Sequence, residues 1–158
     1  MHRFLLRLSR PRLIVLLILA CLILVFVSKN IGVRYSVFQH HQRWTSHAPE
    51  HYRYTLTISC FCAPEITEPF VVEVQNHIPI VAHYLNNGAP VTTTSLAGDQ
   101  TIDGLFQEIN DAANQRADSI TVTYDETFGY PKEIRIDMNL FGRDDEIWYT
   151  ITDFEVLN

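Results

Sequence analysis

No acidic side chain occurs in residues 1–33, although eighteen Asp and Glu are spread through the rest of the chain. The same stretch carries five basic residues, Arg3, Arg7, Arg10, Arg12 and Lys29. Residues 34–158 hold seven Lys and Arg against all eighteen acids, a balance of −11 that the overall −6 conceals. The later part therefore lacks a basic stripe, the usual electrostatic footprint of a nucleic-acid binder, and this argues against nucleic acid as a partner. Cysteine is scarce as well. Outside Cys21, only Cys60 and Cys62 occur, so at most one bridge can form within the later part. The strings that carry recognisable chemistry are missing. There is no H-E-x-x-H for a zinc protease, no G-x-S-x-G for a serine hydrolase and no D-x-D-x-D-G calcium loop. These absences remove the ordinary warrants for a catalytic assignment, and no cofactor is expected.

An unbroken apolar run, Leu13 to Val27, is present. At fifteen residues it is short of the ~20 that a spanning helix usually needs, but Ser28 and Ile31–Val33 can extend it. Four arginines precede it and only Lys29 and Arg34 follow closely, so the positive-inside rule places the N-terminus in the cytoplasm. Three readings of the run compete. It is an uncleaved anchor, a lipoprotein signal using Ile18-Leu19-Ala20-Cys21, or a cleaved signal with the unfavourable Ile18 at −3. All three put the rest of the chain outside the cytoplasm. The expected organisation is a cytoplasmic stub and membrane anchor over residues 1–33 and one exported domain over 34–158. The anchor reading implies a single-pass protein of the inner (cytoplasmic) membrane. About 125 residues suffice for one core, not two.

Periodicity sketches that domain. Tyr35, Phe38, His41 and Trp44 are spaced as one face of a helix over 34–47, and Ala48-Pro49 stops it. Tyr52–Cys62 alternates as a strand, with Tyr54, Leu56, Ile58, Cys60 and Cys62 inward. Phe70, Val72 and Val74 line a second strand. Gln75-Asn76-His77 turns, and Ile78, Ile80, Ala82 and Tyr84 line a third, which Pro79 marks as an edge. Thr101 caps a second helix whose stripe is Ile102, Leu105, Phe106, Ile109, Ala112 and Ala113. Three strands follow, with faces Ile120/Val122/Tyr124, Ile134/Ile136/Met138 and Ile147/Tyr149/Ile151. The fold class is α+β: a transmembrane helix, then a single αβββαβββ domain with an antiparallel sheet and helices on one face.

Several short strings stand in a distinctive order. They are Tyr52-Arg53-Tyr54-Thr55-Leu56, Ser59-Cys60-Phe61-Cys62-Ala63-Pro64, Thr101-Ile102-Asp103-Gly104-Leu105-Phe106, Thr123-Tyr124-Asp125 and Gly129-Tyr130-Pro131, followed by Ile134–Asp137 and Asp145-Glu146. With them the region from about residue 44 to 156 resembles DUF6174, a family of bacterial exported and lipoprotein-like domains of unknown function. The resemblance implies compartment and fold and supplies no activity. One departure is Asn76-His77, where the family pattern has an acidic residue and glycine.

The residues that could act are few. Cys60 and Cys62 sit on one face of an ideal strand with Cα atoms ~6.6 Å apart, near the upper limit for a bridge. A structural disulfide, two buried free thiols and a redox or metal pair all remain open. His40, His41, His47, His51, His77 and His83 precede residue 84 and could add nitrogen ligands to the cysteines. Surface histidines are the plainer reading, and no metal site is expected. Asp125-Glu126, Asp137 and Asp144-Asp145-Glu146 are turn acids rather than a calcium site. Phe61, Trp148 and Phe154 fall opposite the core stripe and offer an interaction surface on the free sheet face. The expected function is a membrane-tethered, non-enzymatic interaction or structural module of the bacterial envelope with an envelope protein as partner. The alternative is a thiol-redox or metal-handling protein using Cys60, Cys62 and nearby histidines. Oligomeric state is left open.

Overall fold

A computed structural model of the chain describes residues 10–91, 100–142 and 144–157, with the backbone alone at 10–13, 16 and 20–30. In chain order the elements are α1 (Arg10–His47), β1 (His51–Cys60), a one-turn α2 (Pro64–Thr67), β2 (Phe70–Gln75), β3 (Ile78–Tyr84), α3 (Ile102–Asn114), β4 (Ser119–Tyr124), β5 (Pro131–Asp137) and β6 (Glu146–Val156). The fold is α+β, with one six-stranded antiparallel sheet in the order β3-β2-β1-β6-β5-β4. Each half of the chain supplies three consecutive strands, and the two meanders join where β1 pairs with β6.

α1 is one continuous helix of 38 residues. It runs through the 33/34 boundary expected between anchor and domain, and Val33 already packs against the core. Among the described residues no helix is long and apolar enough to cross a membrane. Most side chains of the Leu13–Val27 run, Cys21 among them, lie outside the described residues. The buried stripe of α1 differs from the expected one. Val37 and Trp44 are buried, His40 and His41 are half-buried between them, and Tyr35 and Phe38 are exposed. The spacing i, i+3, i+4, i+7 is kept, but two polar residues occupy it, which is why the aromatic residues misled.

α3 begins after Thr101, as expected. The Thr101 Oγ1 accepts a hydrogen bond from Gly104 N at 3.0 Å, capping the first turn. Ile102, Leu105, Phe106, Ile109, Ala112 and Ala113 are all buried. The helix runs antiparallel to α1: His41 meets Asp103 at its start, and Arg34 bonds Asn114 at its end. Both helices feed one core together with Tyr52, Tyr54, Leu56, Phe70, Val72, Val74, Ile134, Ile136 and Ile151 from the sheet.

Two irregularities overturn face assignments. In β2–β3 the register shifts between Glu73 and Val74, so that Val74 faces Pro79 instead of Ile80. A one-residue bulge reverses every side chain beyond it, and Ile78 and Ile80 are accordingly exposed rather than inward. In β1–β6 the register shifts between Arg53 and Thr55, opposite Asp153, whose φ is 53°. Phe154 is thereby turned to the core side, where its ring stacks 4.4 Å from Tyr130 and also meets Tyr52 and Trp44. Phe154 is partly buried and packs against the core cluster instead of standing on an outer surface. The Asn76-His77 turn takes positive φ at both residues, 50° and 64°, the pattern of a type I′ hairpin.

The relation of α1 to the sheet fixes the molecule's two ends. Gly32 and Val33 lie by Ile120 and Val122, and the His40 ring stacks on Tyr124 at 3.8 Å. Seven helical residues (roughly 10 Å) thus match four strand residues (roughly 13 Å), so α1 and β4 run nearly parallel. The end of the sheet holding Ser119, Asp137, Glu146 and Cys60 therefore points along α1 towards its N-terminal half.

Two predictions follow from this packing. A Cβ at Gly129 (φ 85°) would meet the His40 carbonyl oxygen at 2.9 Å, besides forcing an L residue into the left-handed region. Gly129→Ala is expected to destabilise the fold by about 1–3 kcal/mol in denaturant titration, through strain and displacement of α1. Burial pushes the phenol of Tyr130 up to about 12, assisted by the Asp125 charge, and raises Tyr52 and Tyr54 further. A group whose pKa is raised in the folded state adds stability below its unfolded value of 10.0 and loses it as pH climbs towards the folded value. Stability is therefore expected to fall from pH 10 towards 12, with tyrosinate absorbance rising together with unfolding. Ionisation of these tyrosines well before loss of the fold would contradict this.

Candidate functional site

Most of the distinctive strings are consumed by folding. Tyr52, Tyr54 and Leu56 are core. Thr101 and Gly104 make the cap of α3, and Asp103 stands between His41 (3.2 Å) and His77 (3.4 Å). The Asp125 Oδ1 accepts from the backbone N–H of Thr127 and Phe128, folding the turn that brings Gly129 under α1 and Tyr130 against Phe154. Sequence reading missed the bridging role of Asp103, since its two histidines are 62 and 26 residues away.

The Ser59–Pro64 string is different. β1 stops at Cys60 and the chain bends at Phe61 and Cys62, two residues earlier than alternation suggested. The bend draws the two Cα atoms to 5.2 Å, inside the ordinary range for a bridge, and brings the Cys60 and Cys62 sulfurs into close contact. The expected burial of both sulfurs does not hold: Cys60 is half-buried and Cys62 exposed, because the bend lifts Cys62 off the core face. Between them Phe61 is thrown outward, 81% exposed. Closing so small a loop removes little freedom from the unfolded chain. Its local effect is to fix the direction of Phe61.

Trp148 lies across the sheet from Ser59 and is 44% exposed. The Arg135 guanidinium sits 4.7 Å from its ring centroid, and the Arg135 Nε donates to Glu133 Oε1 at 2.9 Å. Ser59, Cys60, Phe61, Asp144, Glu146 and Trp148 together line an open cleft of about 270 Å³. This is below the roughly 300–1,000 Å³ of sites that enclose small molecules. A shallow cleft with an aromatic floor and an acidic rim suits a side chain or short segment of a larger partner. Beside it the β5–β6 hairpin presents Leu140 and Phe141, 63% and 95% exposed. These two were missed, although adjacent apolar residues between Asn139 and Gly142 were a signal.

The other candidates are not brought together. His51 is at the opposite end of β1 from Cys60, roughly 30 Å away by strand rise, and bonds Glu73 at 2.7 Å. The mixed cysteine–histidine set is thus dispersed, and among the described residues no group of His, Cys, Asp and Glu is placed to hold a metal ion. Asp125 and Asp137 occupy opposite ends of the β4–β5 ladder.

The corner makes a testable separation between rigidity and stability. Replacing both cysteines, Cys60→Ser with Cys62→Ser, is expected to lower unfolding free energy by no more than about 2 kcal/mol. Phe61 should meanwhile lose its fixed orientation, read as a collapse of its ring-proton shift dispersion. A larger loss of stability would make the pair a fold determinant instead.

No curated protein and no solved structure matches the chain. A family model described as a family of unknown function, DUF6174, matches residues 37–156. That span begins at Val37, the first buried residue among the described side chains of α1, and closes with β6, taking in every strand of the sheet. With most of its 158 residues matched, the chain belongs to DUF6174, a family of unknown function.

Proposed function

We propose that this protein is a membrane-tethered, non-enzymatic module of the bacterial envelope. Residues 1–33 form the cytoplasmic stub and anchor, and 34–158 the domain beyond the cytoplasmic membrane. The observation that carries the reading is on α1. Ile14, Val15, Leu17, Ile18 and Leu19 point to several sides of the helix and are all exposed. A helix that is apolar all round has no face to offer water. The same helix then continues without interruption to Trp44, which is wholly buried in the domain. Four arginines before the run support a cytoplasmic N-terminus. In an oxidising compartment the Cys60–Cys62 contact is a disulfide.

Binding is assigned to the outer sheet face around Trp148, with Phe61 at its rim. Trp148 is held by Arg135 and is one of the few large apolar side chains of that face. The acidic rim of Asp144 and Glu146 favours a basic or aromatic segment of an envelope protein. The test uses the full chain in cells. It should remain in the membrane pellet after alkaline carbonate washing, with the domain open to protease added outside the cytoplasmic membrane. Trp148→Ala should abolish recovery of a specific cross-linked partner while the denaturation midpoint stays within about 0.5 kcal/mol of the parent. Release by carbonate would remove the tether; equal recovery by parent and variant would remove the binding face.

One observation favours a second reading, a thiol-redox protein. Cys62 is exposed at an open corner, so an attacking thiolate can reach it. Rapid exchange of the pair with an added dithiol would set this reading above the first.

A further inference from the structure

Three of the most exposed apolar side chains of the domain share one end of the sheet, apart from the group on and after β3. Phe61, Leu140 and Phe141 all stand at the end of the sheet where β1 finishes, β6 begins and the β5–β6 hairpin turns. This hairpin is built, not loose. Leu140 N donates to Asp118 Oδ2 at 3.0 Å, Phe141 N to Asn139 Oδ1 at 3.1 Å and Gly142 N to Asn139 O at 2.7 Å. The backbone is thereby tied down while the two side chains are turned outward.

The same end faces along α1 towards the apolar run. Gly32 and Val33 line one cleft with Ile120 and Val122, close to the sheet end at Ser119 and Asp137. Val27, the last residue of the run, precedes Val33 by roughly 9 Å of helix. Leu140 N is bonded to Asp118, which lies two strand residues (roughly 7 Å) beyond Ile120 in the same direction. The hairpin tip therefore comes roughly level with the end of the apolar run. Ile31, exposed on α1 at this level, adds to the same apolar zone.

We propose that Phe61, Leu140 and Phe141 form a tip that sits in the interfacial layer of the bilayer holding α1, a second point of membrane contact for the domain. The inference deepens the tethered-module reading and rests on it. Aromatic side chains favour this layer, where their rings leave water without entering the hydrocarbon centre. The acids Asp144 and Glu146 lie behind the tip on the cleft side and stay at headgroup level, so a zwitterionic surface is the better match. One tip and one helix together restrict the tilt of the sheet, and the Trp148 face is then held sideways, open to proteins of the same membrane.

The test is depth-resolved quenching on the full chain, reconstituted in phosphatidylcholine vesicles whose acyl chains are brominated at a series of depths, from near the headgroup to near the chain end. Tryptophan probes are placed singly in a Trp148→Phe background, with buried Trp44 a constant emitter. Phe141→Trp reports the tip, Leu17→Trp the anchor, and Ile78→Trp the opposite end of the sheet. All three positions are exposed, so the fold is not challenged. The expected result is bromine quenching and a blue shift for Phe141→Trp and Leu17→Trp, with Ile78→Trp unquenched and open to aqueous acrylamide. If Leu17→Trp is quenched while Phe141→Trp is as open to acrylamide as Ile78→Trp, the tip contact is overturned and the tether stands. If Phe141→Trp is shielded from acrylamide without bromine quenching, a protein surface covers it and the inference is again overturned. If Leu17→Trp is not quenched, the tether fails and the tip contact falls with it.

Discussion

Trp44 is wholly buried, and its ring meets those of Tyr52, Tyr130 and Phe154 edge to face. Three separate segments are fastened by this one side chain: the start of β1, the turn into β5 and the end of β6. A ring of this size, fully withdrawn from water, is worth several kcal/mol. It also sets the azimuth of α1, because a helix with Trp44 inward must present Val37, His40 and His41 to the core as well. From that rotation follow the stacking of His40 on Tyr124, the contact of His41 with Asp103 and the close approach of Gly129 to the helix backbone.

Local periodicity made the α3 stripe and the faces of β1, β2, β5 and the middle of β6 legible in the sequence, since each is governed by a single unbroken period. Reading failed where parity changes within a strand. Nothing in Val74, Pro79 or Asp153 announces a bulge, because a bulge is a property of two paired strands and not of one. The errors at Ile78, Ile80 and Phe154 share this cause. The stripe of α1 failed for another reason: histidine can line a partly buried face when stacked on a ring, as His40 does on Tyr124.

The site was legible only in part. The cysteine pair and Phe61 stood out as a compact string, and Trp148 by its place opposite the core face. Their convergence depends on the β1–β6 register, which pairs residues 89 apart, Ser59 with Trp148. No local pattern encodes that distance. Thr101 as a cap and Asp125 as a turn residue were legible from residue type, whereas the bridging of two histidines by Asp103 and the packing of Gly129 under α1 were not. Only once those roles are assigned does the cysteine corner stand apart as a motif that the fold does not require.

The bulge between Glu73 and Val74 has one more consequence. β3 is an outer strand, and a regular outer strand is a template on which another chain can add. Here Pro79 withholds an N–H, the bulge breaks the spacing of the remaining donors, and the chain folds back so that Pro90 bridges to His83. Ile78, Ile80 and Val81 are left facing water, but along a border whose rhythm no second strand can match. Irregularity at this margin guards the β3 border: two copies can collide there without zipping into a fibre.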